Sequence, residues 1–410
     1  MSIRNVVRYS RFRSANALYT MINHSKFNKK NFHSNLTNAP FDLEDADDKY
    51  KELNNMYANM FTRNPNDEKS VLKDNEEIYK SELDELNEEF DNLTTFSVLD
   101  NKLFEQIISN PGRFVIQSLS SNPYYNLALE DYIFRHTPFD AMKPFYSERL
   151  LFYINRKCAV IGRNQVIWRE LYVKELERRG YEILRRFSGG GSVIHDLGNV
   201  NFSFLTSRSN FDTSFFTNLI VEWLNFNYQC NGDYKLTKRG DILYKGKKCS
   251  GSAFKISKGK AYHHGTMLVD SQINAFSGLL KPKELPGIKW DSPSVESVRS
   301  SISNISINDV NEFIRICKDG FSKYYGIKGR NSIPVYYCND YETINEEIKN
   351  TMNKLKSHKW KYDAGPKFKV HLSEPLKHKT IEVEHGRIVC CTDKNIIGMS
   401  FEQYARNYLE

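Results

Sequence analysis

The sequence has no apolar run of about 18 residues, so no segment of it predicts a membrane-spanning helix. Glycine and proline, at 21 and 12 of 410 residues, are too few for a collagen-like or low-complexity chain. The seven cysteines are odd in number and include no Cys-x-x-Cys pair. No disulfide framework or zinc-ligand spacing is therefore evident, and a reducing compartment fits best. The length of 410 residues predicts two or three folding units, and 13% aromatic residues are ample for a globular core.

Acidic residues are missing from the start of the chain. Residues 1–41 hold seven Lys or Arg and no Asp or Glu, whereas residues 42–92 hold 17 acidic residues against six basic ones. The rest of the chain is net basic. The overall charge of +8 therefore averages three different regions, and affinity for nucleic acid does not follow from it.

The N-terminal arm has the pattern of a targeting sequence. Arg4, Arg8 and Arg11 are spaced to lie on one face of a helix, in a stretch that also contains several Ser and Asn. Residues 1–41 therefore predict a mitochondrial transit peptide and a place in the mitochondrial matrix, with a disordered basic tail as the alternative. A nucleic-acid-binding arm is disfavoured because no aromatic stacking platform accompanies it. Residues 42–110 predict an acidic, disordered linker.

The remaining chain alternates strand and helix patterns, which predicts a mixed α/β fold. Apolar runs at 150–155 and 158–162, joined by a short polar turn, predict a strand pair. Residues 168–180 predict one helix that ends at a glycine. The predicted boundaries are 111–335 for the main globular domain, 336–357 for a polar linker helix and 358–410 for a small β-rich domain.

The segment RRFSGGGSVIHDLGNVNFSF, at 185–204, has the features of a ligand-binding loop. Its three consecutive glycines let the backbone approach a ligand closely and offer N–H groups to a phosphate. Arg185 and Arg186 stand just before the glycines and add permanent charge, and His195 follows. The segment is neither a Walker A loop nor the opening of a dinucleotide-binding helix, because GxxxxGK[ST] is absent and a strand pattern follows. On spacing alone, a flexible surface loop is the alternative.

A second segment, at 238–270, carries charged residues on short strand patterns. If these strands line one sheet, Asp241 and Lys248 can face the same pocket. Asp241 is then a candidate Mg²⁺ ligand, and Lys248 is a candidate contact for a phosphate or carboxylate. The alternative for Lys248 is a solvated surface charge. His263 and His264 alternate across a strand, so only one of them can face inward.

Together these segments resemble the lipoate–protein ligases of the biotin/lipoate protein ligase superfamily, in the form of a mitochondrial eukaryotic member. The resemblance runs from residue 113 to residue 330 and follows the family's order. The matching blocks are NPYYNLALEDYIF (122–134), AVIGRNQVIWRE (159–170), RRFSGGGSVIHDLGNVNFSF (185–204), KKCSGSAF (247–254), HHGTMLVD (263–270) and SVRSSISNI (297–305).

The resemblance implies a mixed β-sheet flanked by helices, similar to class II synthetases and biotin ligases, with a shortened C-terminal domain. Family members activate lipoate with ATP and Mg²⁺ to an acyl-adenylate, and then pass the lipoyl group to a lysine of a lipoyl domain. The implied partners are the acyltransferase subunits of 2-oxoacid dehydrogenases and the glycine cleavage H protein. No nucleic-acid or membrane partner is implied.

Motif positions carry the family's site residues onto this sequence. Lys248 matches a lysine that contacts both the acyl carbonyl and the phosphate, and Asp241 matches an acidic residue near it with an implied Mg²⁺ role. The implied nucleotide contacts are Arg186, Gly191, Ser192, Val193, Ile194, Asp241 and Lys248. The implied lipoate contacts are Ser188, Gly190, His195, Lys248 and His264.

Two departures from the family pattern keep alternatives open. Gly240 stands where family members usually carry an Asn, and the C-terminal region is short. A lipoyl or octanoyl amidotransferase that takes a pre-activated or protein-bound acyl group is the main alternative. A covalent thioester on Cys249 is disfavoured because strand alternation turns it away from the side of Lys248. A non-catalytic lipoyl-domain-binding protein would not need Lys248, and a biotin ligase would need a Gly-Arg-Gly-Arg-x-Gly loop that is absent.

Overall fold

The computed structural model describes residues 97–227, 233–326, 333–374 and 379–410, which belong to one compact unit spanning Glu89–Glu410. The predicted transit peptide and the predicted linker as far as residue 96 lie outside the described residues, so both stay predictions. Among the described helices, none is long and apolar enough to cross a membrane.

Polar side chains cap the longer helices. Asn122 accepts the backbone N–H groups of the second and third residues after it, and Asp309 and Asn345 cap two later helices in the same way. The helices are α1 (Asn101–Ser109), α2 (Pro123–His136), α3 (Ile167–Glu170), α4 (Val173–Arg178), α5 (Phe215–Asn227), α6 (Val310–Tyr325), α7 (Glu346–Lys356) and α8 (Phe401–Tyr408). Short 3₁₀ or π turns cover Ile273–Phe276, Lys359–Asp363 and Lys394–Ile396.

The strands coincide with runs rich in aromatic and β-branched residues, which suit a buried, pleated surface. In chain order they are β1 (Phe114–Ser118), β2 (Arg149–Ile154), β3 (Cys158–Ile161), β4 (Glu182–Arg185), β5 (Val193–His195), β6 (Asn199–Ser207), β7 (Tyr234–Leu236), β8 (Ile242–Tyr244), β9 (Lys247–Lys248), β10 (Ser250–Ser257), β11 (Lys260–Leu268), β12 (Ile288–Asp291), β13 (Val335–Cys338), β14 (Phe368–Leu372), β15 (Lys379–Glu384) and β16 (Arg387–Cys391).

A six-stranded mixed sheet forms the centre of the fold, in the order β10-β11-β6-β2-β1-β13. Neighbours from β10 to β2 are antiparallel, whereas β1 is parallel to both β2 and β13. Helices α2 and α7 contribute to an apolar core on one side, and α5 and α6 to another. This arrangement confirms the predicted α/β class. The register aligns one residue from each of four strands in a single row: Gly251, Thr266, Asn201 and Tyr153.

The two strands predicted as a pair, at 150–155 and 158–162, do not pair with each other. Strand β2 lies in the central sheet, whereas β3 lies in a three-stranded sheet of order β4-β3-β5. The prediction was wrong because both strands are almost entirely buried. A strand that is apolar on both faces reads as a continuous apolar run and does not specify its partner.

The single helix predicted at 168–180 is broken into α3 and α4. Leu171 is extended and forms a bridge with Leu280, and the backbone N–H of Tyr172 donates to the carbonyl of Leu279. The packing of a distant segment therefore replaces one turn of helix, and helical periodicity in the sequence alone does not reveal this interruption.

The two segments predicted as linkers, 42–110 and 336–357, both contribute side chains to the core. Within 42–110, helix α1 buries Phe104 and Ile108. Within 336–357, β13 extends the central sheet alongside β1, and α7 buries Ile348, Met352 and Leu355 beside α2. A helix is present within 336–357 as predicted, but its apolar face packs in the core.

The C-terminal region forms a four-stranded sheet of order β12-β14-β15-β16, with α8 packed beside it. Strand β12 comes from the predicted main domain, so this sheet is not built from 358–410 alone. Its side chains Phe368 and Val383 share one apolar core with Ala159 and Ile183 of the three-stranded sheet. The C-terminal region therefore supports the wall that carries the glycine loop.

Candidate active site

An open cleft lies between the row of residues on the central sheet and the glycine loop that connects β4 to β5. Its empty volume, including the mouth open to solvent, is about 860 Å³. Its lining includes Leu127, Tyr153, Val160, Arg186, Gly190, Gly191, Ser192, Val193, His195, Asn201, Arg239, Asp241, Lys248, Gly251, Ser252, Ala253, His264, Thr266 and residues 295–298. Most of the predicted site residues therefore come together in one place.

Arg186 shapes the glycine loop from within. Its Nε donates to the Ser188 hydroxyl and the Gly189 carbonyl, both at 3.0 Å, and its Nη2 donates to the Gly189 and Gly191 carbonyls at 2.6 and 2.8 Å. Burial lowers the pKa of Arg186 to about 10, which leaves it charged at neutral pH. Gly190 has φ of +86°, and a Cβ there would lie 2.9 Å from this guanidinium. The loop thus needs glycine, and Arg186 turns its carbonyls inward.

Gln165 joins the glycine loop to a segment in which no site residue was predicted. Its Oε1 accepts the Gly162 backbone N–H at 2.9 Å and the Ser192 hydroxyl at 3.0 Å. Its Nε2 donates to the Val295 carbonyl at 3.0 Å and to the Ser297 hydroxyl at 3.1 Å. Residues 295–298 form part of the cleft wall through these bonds. The signal was present in the block that begins at Ser297.

Lys248 and Asp241 form an ion pair in the cleft, with 2.9 Å between Nζ and Oδ1. Both side chains are partly exposed, at 23% and 19%. The backbone of Lys248 is held on both sides, donating to the Ser301 carbonyl at 2.9 Å and accepting from Ser303 at 3.0 Å. The prediction that Asp241 and Lys248 face one pocket is confirmed.

Cys249 faces away from Lys248, as strand alternation predicted. Its side chain is buried in the apolar core formed with α5 and α6, and its Sγ lies 3.4 Å from the Ile242 carbonyl. Burial raises the pKa of the Cys249 thiol to about 12, so it is protonated at neutral pH. The structure therefore gives no support to a thioester on this residue.

His264 is the histidine of the 263–264 pair that faces the cleft. Its Nδ1 lies 3.0 and 3.1 Å from the two carboxylate oxygens of Glu130, and its Nε2 lies 2.7 Å from the Ser188 hydroxyl. His263 packs between Phe202 and Phe254 on the opposite side, where burial lowers its pKa to about 3. Glu130 was not predicted as a site residue, although a carboxylate within an apolar helix pattern was the available signal.

His195 lines the cleft and is almost completely buried. Its Nδ1 lies 3.0 Å from Nδ2 of Asn155, which was also not predicted. Burial lowers the pKa of His195 to about 3, and the charge of Arg186 contributes to the shift. Ile194, a predicted nucleotide contact, instead turns its side chain into the core shared with the C-terminal sheet. Ser188 lies behind the loop, bonded to His264 and Arg186.

The acidic residues of the site fit a metal ion whose other ligands come from a bound nucleotide and from water. The described residues contain no group of three or more His, Cys, Asp or Glu side chains able to hold a metal. Mg²⁺ often binds through one or two carboxylates together with substrate phosphates and water. Asp241 offers one such carboxylate at the cleft, so Mg²⁺ bound to a nucleotide is compatible with these residues.

Comparisons with known proteins relate this chain to one family. Residues 122–322 match the family model of the lipoyl protein ligase A/B catalytic domain. A Saccharomyces cerevisiae protein named "Putative lipoate-protein ligase A" is 45% identical over 378 residues, which cover 89% of this chain and 90% of the relative. Human mitochondrial lipoyl amidotransferase LIPT1 is 32% identical over 298 residues, covering 70% of this chain and 77% of the relative. The crystal structure of P. falciparum LipL1 with lipoate superposes with a TM-score of 0.53 at 30% identity, covering 68% of this chain and 83% of that one.

Proposed function

This chain belongs to the lipoyl protein ligase A/B family and is a lipoate–protein ligase or a lipoyltransferase, and we propose that it is the ATP-dependent ligase. The observation that carries the proposal is the Lys248–Asp241 ion pair at 2.9 Å, set in the same cleft as the glycine loop. This arrangement supports a nucleotide-dependent activation step, because a fixed cation stabilises approaching anions and a glycine loop can bind phosphate.

The first proposed step joins lipoate to AMP. The lipoate carboxylate attacks the α-phosphate of ATP, a phosphorus–oxygen bond forms to the acyl oxygen, and pyrophosphate leaves. Two anions approach each other in this step, so fixed positive groups stabilise the transition state. Lys248 supplies such a charge, Arg239 stands exposed at the cleft, and the backbone of Gly190 and Gly191 lines it. Mg²⁺ supplies further charge neutralisation when it accompanies the nucleotide.

The shape of the cleft fits an extended acyl chain. The aligned row runs from Gly251, next to Lys248, to Tyr153 across three strand spacings, about 14 Å at roughly 4.8 Å per spacing. Leu127, Tyr153 and Val160 make the far part of the lining apolar. A lipoyl group with its carboxyl near Lys248 would place its hydrocarbon and dithiolane ring along this row.

The second proposed step transfers the lipoyl group to the ε-amine of a lysine on a lipoyl domain. The amine nitrogen attacks the acyl carbonyl, the bond from the carbonyl carbon to the phosphate oxygen breaks, and AMP leaves with release of a proton. Lys248 would polarise the carbonyl during this attack. The proposed acceptors are acyltransferase subunits of 2-oxoacid dehydrogenases and the glycine cleavage H protein.

The amidotransferase remains the second candidate because of Gly240. This residue has φ of +82°, a conformation that glycine and asparagine both adopt readily, so the backbone suits the Asn usual in the family. What is lost is one polar side chain beside Asp241. The human amidotransferase relative, at 32% identity, is consistent with an enzyme that skips the ATP step.

Exchange of radiolabelled pyrophosphate into ATP separates the two candidates. Purified protein that catalyses exchange only when free lipoate and Mg²⁺ are present is the ligase. Protein without exchange that still moves a lipoyl group from a lipoylated H protein to an acceptor lipoyl domain is the amidotransferase. Protein with neither activity, tested with both acceptors, contradicts both proposals.

We place the protein in the mitochondrial matrix on the basis of its basic, acid-free arm. The human relative is also mitochondrial, which supports this proposal. A fluorescent protein fused after residue 41 is expected to enter mitochondria. Replacing Arg4, Arg8 and Arg11 with Glu should leave the fusion in the cytosol, and unchanged import would contradict the assignment.

A further inference from the structure

A chain of side-chain amides leads from the interior to His195. The Asn126 nitrogen donates to the backbone carbonyls of Ser120, at 2.8 Å, and Ile154, at 3.2 Å. Carbonyl oxygens only accept, so these contacts settle which end of the Asn126 amide is the nitrogen. The same nitrogen lies 2.9 Å from the Asn155 oxygen. The nitrogen of Asn155 must therefore point the other way, toward His195.

This orientation determines the tautomer of His195. The Asn155 nitrogen lies 3.0 Å from Nδ1 of His195, and an amide nitrogen can only donate. Nδ1 is consequently the acceptor, and the proton of the neutral ring resides on Nε2. Asn155 is fully buried, so water does not compete for this hydrogen bond.

The Nε2–H group of His195 is a buried donor in the wall of the cleft. Its nitrogen finds no hydrogen-bond partner among the residues that the structure describes. A buried donor without a partner lowers the stability of the folded protein. Such groups are commonly satisfied by a ligand or an ordered water. We therefore expect a molecule bound in the cleft to accept a hydrogen bond from Nε2 of His195.

The groups that act on His195 keep its ring neutral. Arg186 and His264 both disfavour a positive charge on it, in addition to burial. Cys158 lies 3.8 Å from Nδ1, and burial raises the pKa of this thiol well above its usual range, so it is uncharged. At physiological pH the ring is thus one defined neutral donor rather than a mixture of forms.

We propose that Asn155 is a positioning residue that holds His195 as a hydrogen-bond donor to an acceptor atom of the acyl substrate. This inference rests on the proposed binding of an acyl group in the cleft. Two parts of lipoate carry acceptors: the carboxyl oxygens and, more weakly, the dithiolane sulfurs. The sulfur-free C8 acid octanoate keeps only the carboxyl oxygens, so it distinguishes the two.

The test is Asn155→Asp, which replaces the amide donor with an acceptor of the same shape. The carboxylate should pull the proton of His195 to Nδ1, so that Nε2 becomes a lone pair and repels the ligand acceptor. We expect the KM for lipoate at pH 8 to rise about tenfold, with kcat changed less.

Three measurements complete the experiment. ¹⁵N shifts of histidine-labelled ligand-free protein report the His195 tautomer directly, and they should change from Nε2–H to Nδ1–H in the variant at pH 8. An equal effect on octanoate assigns the acceptor to the carboxyl group, and an effect on lipoate alone assigns it to the dithiolane. The matched control is Asn218→Asp, because Asn218 is exposed on α5 and lies outside the cleft lining.

The proposal is overturned if the wild-type ring carries its proton on Nδ1, or if Asn155→Asp leaves the KM unchanged at pH 8 for both acids. A wild-type protein that binds neither acid would instead overturn the proposed function. The ligand-free tautomer measurement keeps these two failures apart, because it does not depend on any substrate.

Discussion

Replacement of Lys248 with alanine separates the stability of the protein from its chemistry. The Lys248–Asp241 ion pair is 2.9 Å long, but both side chains are partly exposed at 23% and 19%. Ion pairs open to solvent contribute about 0–1 kcal/mol. The strand pairing of Lys248 with Ser301 and Ser303 uses backbone atoms, which alanine retains. We therefore expect Lys248→Ala to lower the free energy of unfolding by about 1 kcal/mol at most.

The same change should have a much larger effect on the reaction. Removing one preorganised donor to developing negative charge costs about 10²–10³ in rate, or roughly 2.7–4 kcal/mol of transition-state stabilisation. Lys248→Arg keeps the positive charge but spreads it over a planar guanidinium instead of a compact ammonium group. It should therefore recover only part of the lost rate. Lys247→Ala is the matched control because Lys247 is the adjacent residue of β9 and its side chain is exposed.

The assay follows lipoyl transfer to a lipoyl domain, with unfolding by denaturant measured on the same preparations. Transfer should fall at least 100-fold in Lys248→Ala and stay near wild type in Lys247→Ala. Wild-type transfer by a well-folded Lys248→Ala protein would refute the role assigned to Lys248. A loss of stability of several kcal/mol would refute the reading that this ion pair is largely dispensable for folding.

Three further predictions concern buried groups. Cys249→Ala should keep transfer within about twofold, because the thiol lies outside the cleft lining and burial raises its pKa to about 12; loss of transfer in a folded variant would point to a thioester. Burial lowers the pKa of His263 to about 3, so below pH 6.5 this residue takes up a proton in the unfolded chain but not in the folded one. The free energy of unfolding therefore falls by about 1.4 kcal/mol per pH unit between pH 6.5 and pH 3 because of this residue. His263→Phe should therefore reduce the slope of stability against pH measured by denaturation at pH 7, 6 and 5, and an unchanged slope would mean that His263 titrates normally. Glu410→Ala should lower the free energy of unfolding by about 3 kcal/mol, because its ion pair with Lys281 at 2.9 Å is buried and its loss leaves the charge of the lysine uncompensated; a change below 1 kcal/mol would contradict this.

Local patterns predicted much of the fold. The patterns at 122–136 and 308–326 predict two helices, and the structure has α2 at Pro123–His136 and α6 at Val310–Tyr325, each with a polar cap. Alternation along β9 and β10 correctly separated Lys248 from Cys249, since neighbouring strand residues point to opposite faces. The same rule separated His263 from His264. These features depend on residues close in the chain, which is why the sequence alone reveals them.

The errors arose where a partner lies far away in the chain. Strand β3 joins β4 and β5 rather than β2, and β13 extends the central sheet from within a predicted linker. For β3 nothing local specifies the partner, because a fully buried strand has no polar face to orient it. For β13 the partner is β1, which lies far from it in the chain. The break between α3 and α4 has the same origin, since Tyr172 bonds to a residue of a distant segment.

By itself, the sequence determined the fold class, the family and the pocket formed by Lys248, Asp241 and the glycine loop. Only the tertiary structure decided what each buried polar group does. The carboxylate of Glu130 meets His264 from 134 residues away, and the Asn155 amide meets His195 from 40 residues away. Such contacts set the orientation of buried polar side chains through hydrogen bonding, which depends on the folded surroundings and not on the local sequence.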